Sequence, residues 1–182
     1  EKAGAAYKLL LKLYPYAPDA PVIQAKIAES YRYLEDDEQT YLVRKELFRK
    51  YNEGSEWWVR VEDEDARTKG RGLAEHALRS NINMLLDVAE QIDDRELFGQ
   101  AVSDTREYLR AFPEDTSAAK LHWNMALTLD AKLERSSQAY DEYIAISNQY
   151  WDSDYQLESA KNAVALAQDL VCLLYTSDAA DE

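Results

Sequence analysis

Apolar residues recur three and four positions apart along most of the chain, and no stretch sustains the every-other-residue alternation of a half-buried strand. The pattern predicts an all-α protein. Four segments carry it in one register, each ending in an aromatic residue followed by a chain-breaking or bulky one: Tyr14-Pro15, Tyr51-Asn52, Phe112-Pro113 and Tyr150-Trp151. Twelve positions before the second member of each pair stand Ala3, Thr40, Ala101 and Ala139. Eight before stand Tyr7, Arg44, Thr105 and Tyr143, and five before stand Leu10, Leu47, Tyr108 and Ile146. A small residue followed by larger and apolar ones at spacings of four and three forms one face of a helix.

Three of these helices have a partner upstream with its own stripe: Ile27, Ala28 and Tyr31; then Leu85, Val88, Ala89 and Ile92; then Trp123, Ala126 and Leu127. Ala28 precedes Thr40 by twelve residues, and Ala89 precedes Ala101 by the same number. This spacing puts small side chains where two antiparallel helices cross most closely. Tight turns at Glu35-Asp36-Asp37-Glu38, Asp93-Asp94-Arg95 and Glu134-Arg135-Ser136-Ser137 join the pairs into helix hairpins. Between the second ending and the third lies an insertion. It reads as a short capped helix over Ser55 to Val61, carrying Trp57 and Trp58, then a lengthened helix through Leu73, Ala77 and Leu78 into Ile92, its start weakened by Gly70 and Gly72.

Small-to-small spacing inside a hairpin of about 34 residues, with Trp or Leu three residues before an apolar-small pair and Pro at the end, resembles the tetratricopeptide repeat. The endings Leu13-Tyr14-Pro15-Tyr16-Ala17-Pro18-Asp19-Ala20-Pro21 and Ala111-Phe112-Pro113-Glu114-Asp115 are similar to the variety found in bacterial cell-envelope proteins. The resemblance implies antiparallel helix hairpins stacked as a right-handed α-solenoid over residues 1–171. A half repeat would occupy 1–20, full repeats 21–54, 82–115 and 120–153, the insertion 55–81, and a final helix 155–171. The chain departs from the pattern at Asn52 and Trp151, where Pro is usual, at Arg44, where an aromatic is usual, and at Asp130, where Tyr is usual.

Stacked hairpins create an extended groove, and function would reside there. The resemblance implies a non-catalytic scaffold that binds a peptide or partner protein along the exposed face of each first helix. By register these positions are Val22, Ala25, Glu29 and Arg32, then Asn83, Leu86 and Glu90, then Leu121, Asn124 and Thr128. The Lys and Asn clamp with which chaperone-binding relatives grip a terminal carboxylate is not present at matching positions. The alternative is a packing module of a cell-envelope assembly with no free peptide ligand. A periplasmic or envelope location comes with the resemblance alone.

Composition narrows the partners. The chain of 182 residues carries 35 acidic against 21 basic residues, a formal charge of -14 that repels phosphate backbones and anionic headgroups. Nucleic acid and membrane surfaces are thereby disfavoured, and no apolar run reaches the roughly 20 residues of a membrane span. The single Cys172 excludes an internal disulfide framework. The chain starts at Glu1 on residues that read as mid-helix, so an upstream part is expected, and residues 172–182 resemble a non-native read-through tail. A bare apolar face on the final helix is expected to favour self-association.

Candidate chemistry is sparse. Glu62-Asp63-Glu64-Asp65 and Glu35-Asp36-Asp37-Glu38 lack the alternating ligands, Gly and terminal Glu of a calcium loop and read as helix starts or solvated faces. His76 and His122 have no nucleophile, second His or carboxylate at a motif spacing, so no catalytic role, metal or cofactor is expected. Lys69-Gly70-Arg71-Gly72 lacks the length and hydroxyl of a phosphate loop and reads as a turn or helix entry. Most of the 13 Tyr fall in the repeat stripe and are expected in the core, whereas Trp57, Trp58, Trp151 and Tyr155 fall outside it.

Overall fold

The computed structural model describes residues 2–178, and every regular element among them is helical. These are α1 (Lys2–Leu13), α2 (Ala20–Tyr33), α3 (Asp37–Tyr51), α4 (Glu56–Arg60), α5 (Glu64–Ile92), α6 (Arg95–Ala111), α7 (Ala118–Leu127), α8 (Ser136–Gln149) and α9 (Gln156–Asp178). A π-helical turn, Thr128–Lys132, separates α7 from α8. The end of the expected read-through tail, residues 179–182, lies outside the described residues. The chain divides into two compact units, Glu1–Met84 and Leu85–Glu182, with the boundary inside α5.

Acidic residues start the helices. The Asp36 carboxylate accepts from the Gln39 N–H at the head of α3, and the Asp94 carboxylate accepts from the Glu96 and Leu97 N–H groups at the head of α6. Asp63 takes the Ala66 N–H in the same way, so both acidic runs occupy helix starts, where carboxylates satisfy free donors and face the positive end of the dipole. Each hairpin turn is then reversed by a non-glycine residue in the left-handed region, with φ of 54° at Glu35, 53° at Asp93 and 55° at Glu134. At the end of α2 the Glu35 N–H donates to the Arg32 carbonyl and the Asp36 N–H to the Tyr31 carbonyl, and the long bond recurs from the Asp94 N–H to the Ala89 carbonyl.

A second turn recurs after the aromatic endings. The carbonyls of Tyr14, Phe112 and Tyr150 accept from the N–H groups of Ala17, Asp115 and Ser153. The carbonyls of those three accept in turn from Ala20, Ala118 and Gln156. One ladder thus leads into α2, α7 and α9. The ending at Tyr51 differs, because the Asn52 carbonyl accepts from the Ser55 N–H and the Ser55 hydroxyl then caps α4 through the Trp58 N–H.

In the first unit α2 packs against α1 and α3. Ile27, Ala28 and Val43 form a buried cluster with Tyr7, Leu11 and Tyr31 around it. The insertion is held by Trp57, which is 2% exposed, meets the Tyr51 ring edge-on at 5.4 Å, and donates its indole N–H to the Ala17 carbonyl at 2.9 Å. Gly70 makes this possible: a Cβ there would lie 2.8 Å from Cζ3 and Cη2 of Trp57. The Lys69–Gly72 segment is therefore helix interior, not a turn or helix entry, and its first glycine is the flat spot on α5 that receives the indole.

In the second unit α7 packs against α6 and α8, and α8 against α9. One buried cluster joins Ala89, Phe98, Val102, Met125, Ala126, Leu129, Ala139, Tyr143, Ile146, Ala163 and Leu166. The expected stripe of Trp123, Ala126 and Leu127 is shifted by one residue. His122, Met125, Ala126 and Leu129 are buried, as Gln24, Ile27 and Ala28 are on α2, while Leu127 is exposed and Trp123 half-buried. The buried alanines Ala126 and Ala139 are thirteen residues apart, one more than the pairs Ala28–Thr40 and Ala89–Ala101. The π turn absorbs the extra residue: the Leu133 N–H reaches the Thr128 carbonyl at 3.0 Å and the Arg135 N–H the Leu129 carbonyl at 2.8 Å.

Candidate functional site

Seven of the ten positions read from the sequence border a depression, three of them in the first unit and four in the second. In the first unit a depression of about 340 Å³ is bordered by Ala25, Glu29 and Arg32 on α2, Arg44 and Leu47 on α3, and His76 on α5. Val22 is half-buried on α2 and does not border it. Arg32 and Glu29 pair loosely at 3.8 Å with both side chains open to water. Arg44 is half-buried; burial lowers its pKa from the usual value, the like charge of Arg32 lowers it further, and Asp37 opposes them. Sequence reasoning marked Arg44 only as a departure from an aromatic position, and that departure was the available signal.

In the second unit a depression of about 330 Å³ is bordered by Leu86 and Glu90 on α5, Asn124 and Leu127 on α7, and Thr128 and Lys132 on the π turn. Lys132 Nζ lies 2.8 Å from Glu90 Oε1 and 5.5 Å from the centre of the Phe98 ring, so the rim is an ion pair and part of the wall is aromatic. Asn83 is exposed and belongs to the first unit. Two of the expected open positions are corrected. Leu121, 3% exposed, belongs to the core, and Thr128, 6% exposed, borders the depression but spends its hydroxyl on the Asn124 carbonyl at 2.8 Å. Both follow from the one-residue shift, since one residue turns a helix face by about 100°. Lys132 and Phe98 were not read from the sequence, Leu127 was read as part of the inward stripe, and the π turn that carries Lys132 leaves no pattern in the sequence.

A third depression, of about 660 Å³, lies in the α1–α2 hairpin among Lys8, Ile27, Tyr31, Tyr33 and Leu34, with Lys8 Nζ 2.6 Å from the Tyr31 hydroxyl. Tyr33 and Leu34, beside the turn that follows α2, were its only trace in the sequence. The tryptophans outside the stripe divide: Trp57 is core, Trp58 lies against the Arg67 guanidinium at 5.8 Å, and Trp151 stands open to solvent. Tyr155 stacks on Trp123 at 5.8 Å.

The two histidines have different surroundings. His76 is exposed at the edge of the first depression, 3.4 Å from Arg79. His122 is buried, with Nε2 2.9 Å from Glu142 Oε2 and Nδ1 3.2 Å from the Tyr150 hydroxyl, so both ring nitrogens are engaged within the fold. Among the described residues no cluster of three or more His, Cys, Asp or Glu could hold a metal ion, and no helix is long and apolar enough to cross a membrane. Comparison with models of known protein families, with curated proteins and with solved structures gives no match.

Proposed function

We propose that the chain is a non-catalytic scaffold of tetratricopeptide-like repeats, stacked as a right-handed α-solenoid, that holds a segment of a partner protein against its first helices. One observation carries this reading. Leu86 and Glu90 from α5, Asn124 from α7 and Thr128 from the π turn, all expected from the sequence as groove positions, border a single depression. Its apolar wall and its charged and amide rim suit an extended or helical peptide, whose side chains enter the apolar part while its backbone meets the rim. The ladder recurring at Tyr14, Phe112 and Tyr150, and the left-handed Glu35, Asp93 and Glu134, support a repeat architecture. A bacterial cell-envelope setting belongs to the same proposal and rests on the Tyr14-Pro15 and Phe112-Pro113 endings alone.

A second reading, a packing module of a larger assembly without a free peptide ligand, is favoured by the apolar side chains left open on α1 and α9, among them Leu9, Leu13, Leu157 and Val164. A peptide array probed with the intact chain separates the two. The scaffold reading expects saturable binding that weakens about tenfold on Glu90→Ala or Asn124→Ala with the thermal midpoint unchanged. Binding indifferent to both substitutions, or no peptide retained at all, removes the scaffold reading and leaves the packing module.

A further inference from the structure

We infer that Arg44 makes the depression of the first unit a receptor for the side-chain carboxylate of an Asp or Glu carried by the bound partner segment, an inference that rests on the scaffold reading above. The starting observation is a charge left without a partner. Among the described residues no hydrogen bond or ion pair reaches the Arg44 guanidinium, although the side chain is half-buried. A cation withdrawn from water without a counter-charge is costly, and a fold with 35 acidic residues had many chances to supply one. The charges acting most strongly on Arg44 are instead Arg32, which repels it, and Asp37, which attracts it without forming an ion pair.

The chemistry of the lining selects the ligand. Arg32 and Arg44 against Glu29 leave one positive charge in the depression, which a single carboxylate neutralises and a phosphate dianion over-fills. The guanidinium fork matches a carboxylate through two parallel N–H donors. Ala25, Ala28 and Leu47 border the same space, so the methylenes of an acidic side chain would meet apolar surface behind the charge. Arg32 is held in water by Glu29 at 3.8 Å and by the Tyr33 ring at 4.9 Å, and it can turn to the ligand as a second donor. Arg44 thus becomes a specificity determinant at a position where the repeat pattern expects an aromatic ring.

The test uses the intact chain and three small probes: N-acetyl-glutamate methylamide, its glutamine counterpart, and N-acetyl-phosphoserine methylamide. Each is titrated while the arginine Nε–Hε signals are followed by NMR, with the Arg44 signal assigned by its loss in Arg44→Gln. The expected result is a saturable shift of that signal with the glutamate probe, at least about fivefold weaker binding of the glutamine probe, and loss of glutamate-probe binding in Arg44→Gln. Arg44→Lys, which keeps the charge and removes the fork, is expected to bind between the two, and this holds even if Arg44→Gln fails to fold. Equal binding of glutamate and glutamine probes, tighter binding of the phosphoserine probe, or undiminished binding in Arg44→Gln overturns the assignment. Because the peptide-array test reads Glu90 and Asn124 in the other unit, a failure here and a failure of the scaffold reading are told apart.

Discussion

His122 on α7 holds two residues of the following helix region at once, Glu142 through Nε2 at 2.9 Å and the Tyr150 hydroxyl through Nδ1 at 3.2 Å. Arg106 of α6 reaches the same carboxylate, Nη2 to Oε1 at 3.1 Å, so Glu142 gathers α6, α7 and α8. Burial alone would raise the Glu142 pKa, but the hydrogen bonds from His122 and Arg106 outweigh it and hold the carboxyl below its ordinary 4.5. Burial, with the charges of Glu114 and Glu142, pushes the Tyr150 hydroxyl up to about 12, so it remains a neutral donor at any ordinary pH.

The sign of the pH dependence follows from that depressed carboxyl. A folded pKa below the unfolded one contributes stability that is complete above the unfolded value and is lost as pH falls through the folded value. Glu142→Gln is therefore expected to cost about 1–2 kcal/mol near pH 7 and almost nothing at a second pH acidic enough to protonate the native carboxyl. Urea midpoints at the two pH values measure the difference, and an equal loss at both would refute the argument.

The two glycines near the start of α5 should respond with opposite signs. Replacing either by Ala gains helix propensity of about 0.8–1 kcal/mol. At Gly72 the new methyl group meets nothing within 4 Å, so Gly72→Ala should stabilise by about that amount. At Gly70 it meets the Trp57 ring at 2.8 Å and the Pro21 ring at 3.2 Å, both in the packed interior of the unit. Gly70→Ala should destabilise by about 1–3 kcal/mol in denaturant melts, the overpacking cost exceeding the propensity gain.

Removing one residue from the π turn should be unusually well tolerated. Deleting Ala131 returns the Ala126-to-Ala139 spacing to the twelve residues found between Ala28 and Thr40, and lets the turn close as ordinary α-helix. Deleting Ala145 from the middle of α8 instead rotates Ile146 off the core by about 100°. Thermal melts should rank the first deletion well above the second. The reverse order would show that the extra residue is not what the π turn accommodates.

Local chemistry made much of the fold legible. Asp36, Asp63 and Asp94 cap helices because a short carboxylate ahead of an amphipathic run has free N–H donors within reach, and that information is complete within four residues. The open positions of Glu29 and Glu90 were legible for a related reason, since they follow from helical period once one stripe is known to be inside. Arg44 and Lys132 were not, because a long charged side chain can reach several surroundings and sequence alone does not say which.

The sequence by itself determined that the chain is helical, where most helices start and turn, and which of their faces are polar, because these depend on interactions between residues a few positions apart. Only the tertiary structure decided that His122 rather than Trp123 enters the core of the third hairpin, that Gly70 receives Trp57, and that Arg44 is left half-buried without an ion pair. Each of those depends on a contact between residues distant along the chain, and a one-residue adjustment such as the π turn costs too little locally to leave a mark that periodicity can read.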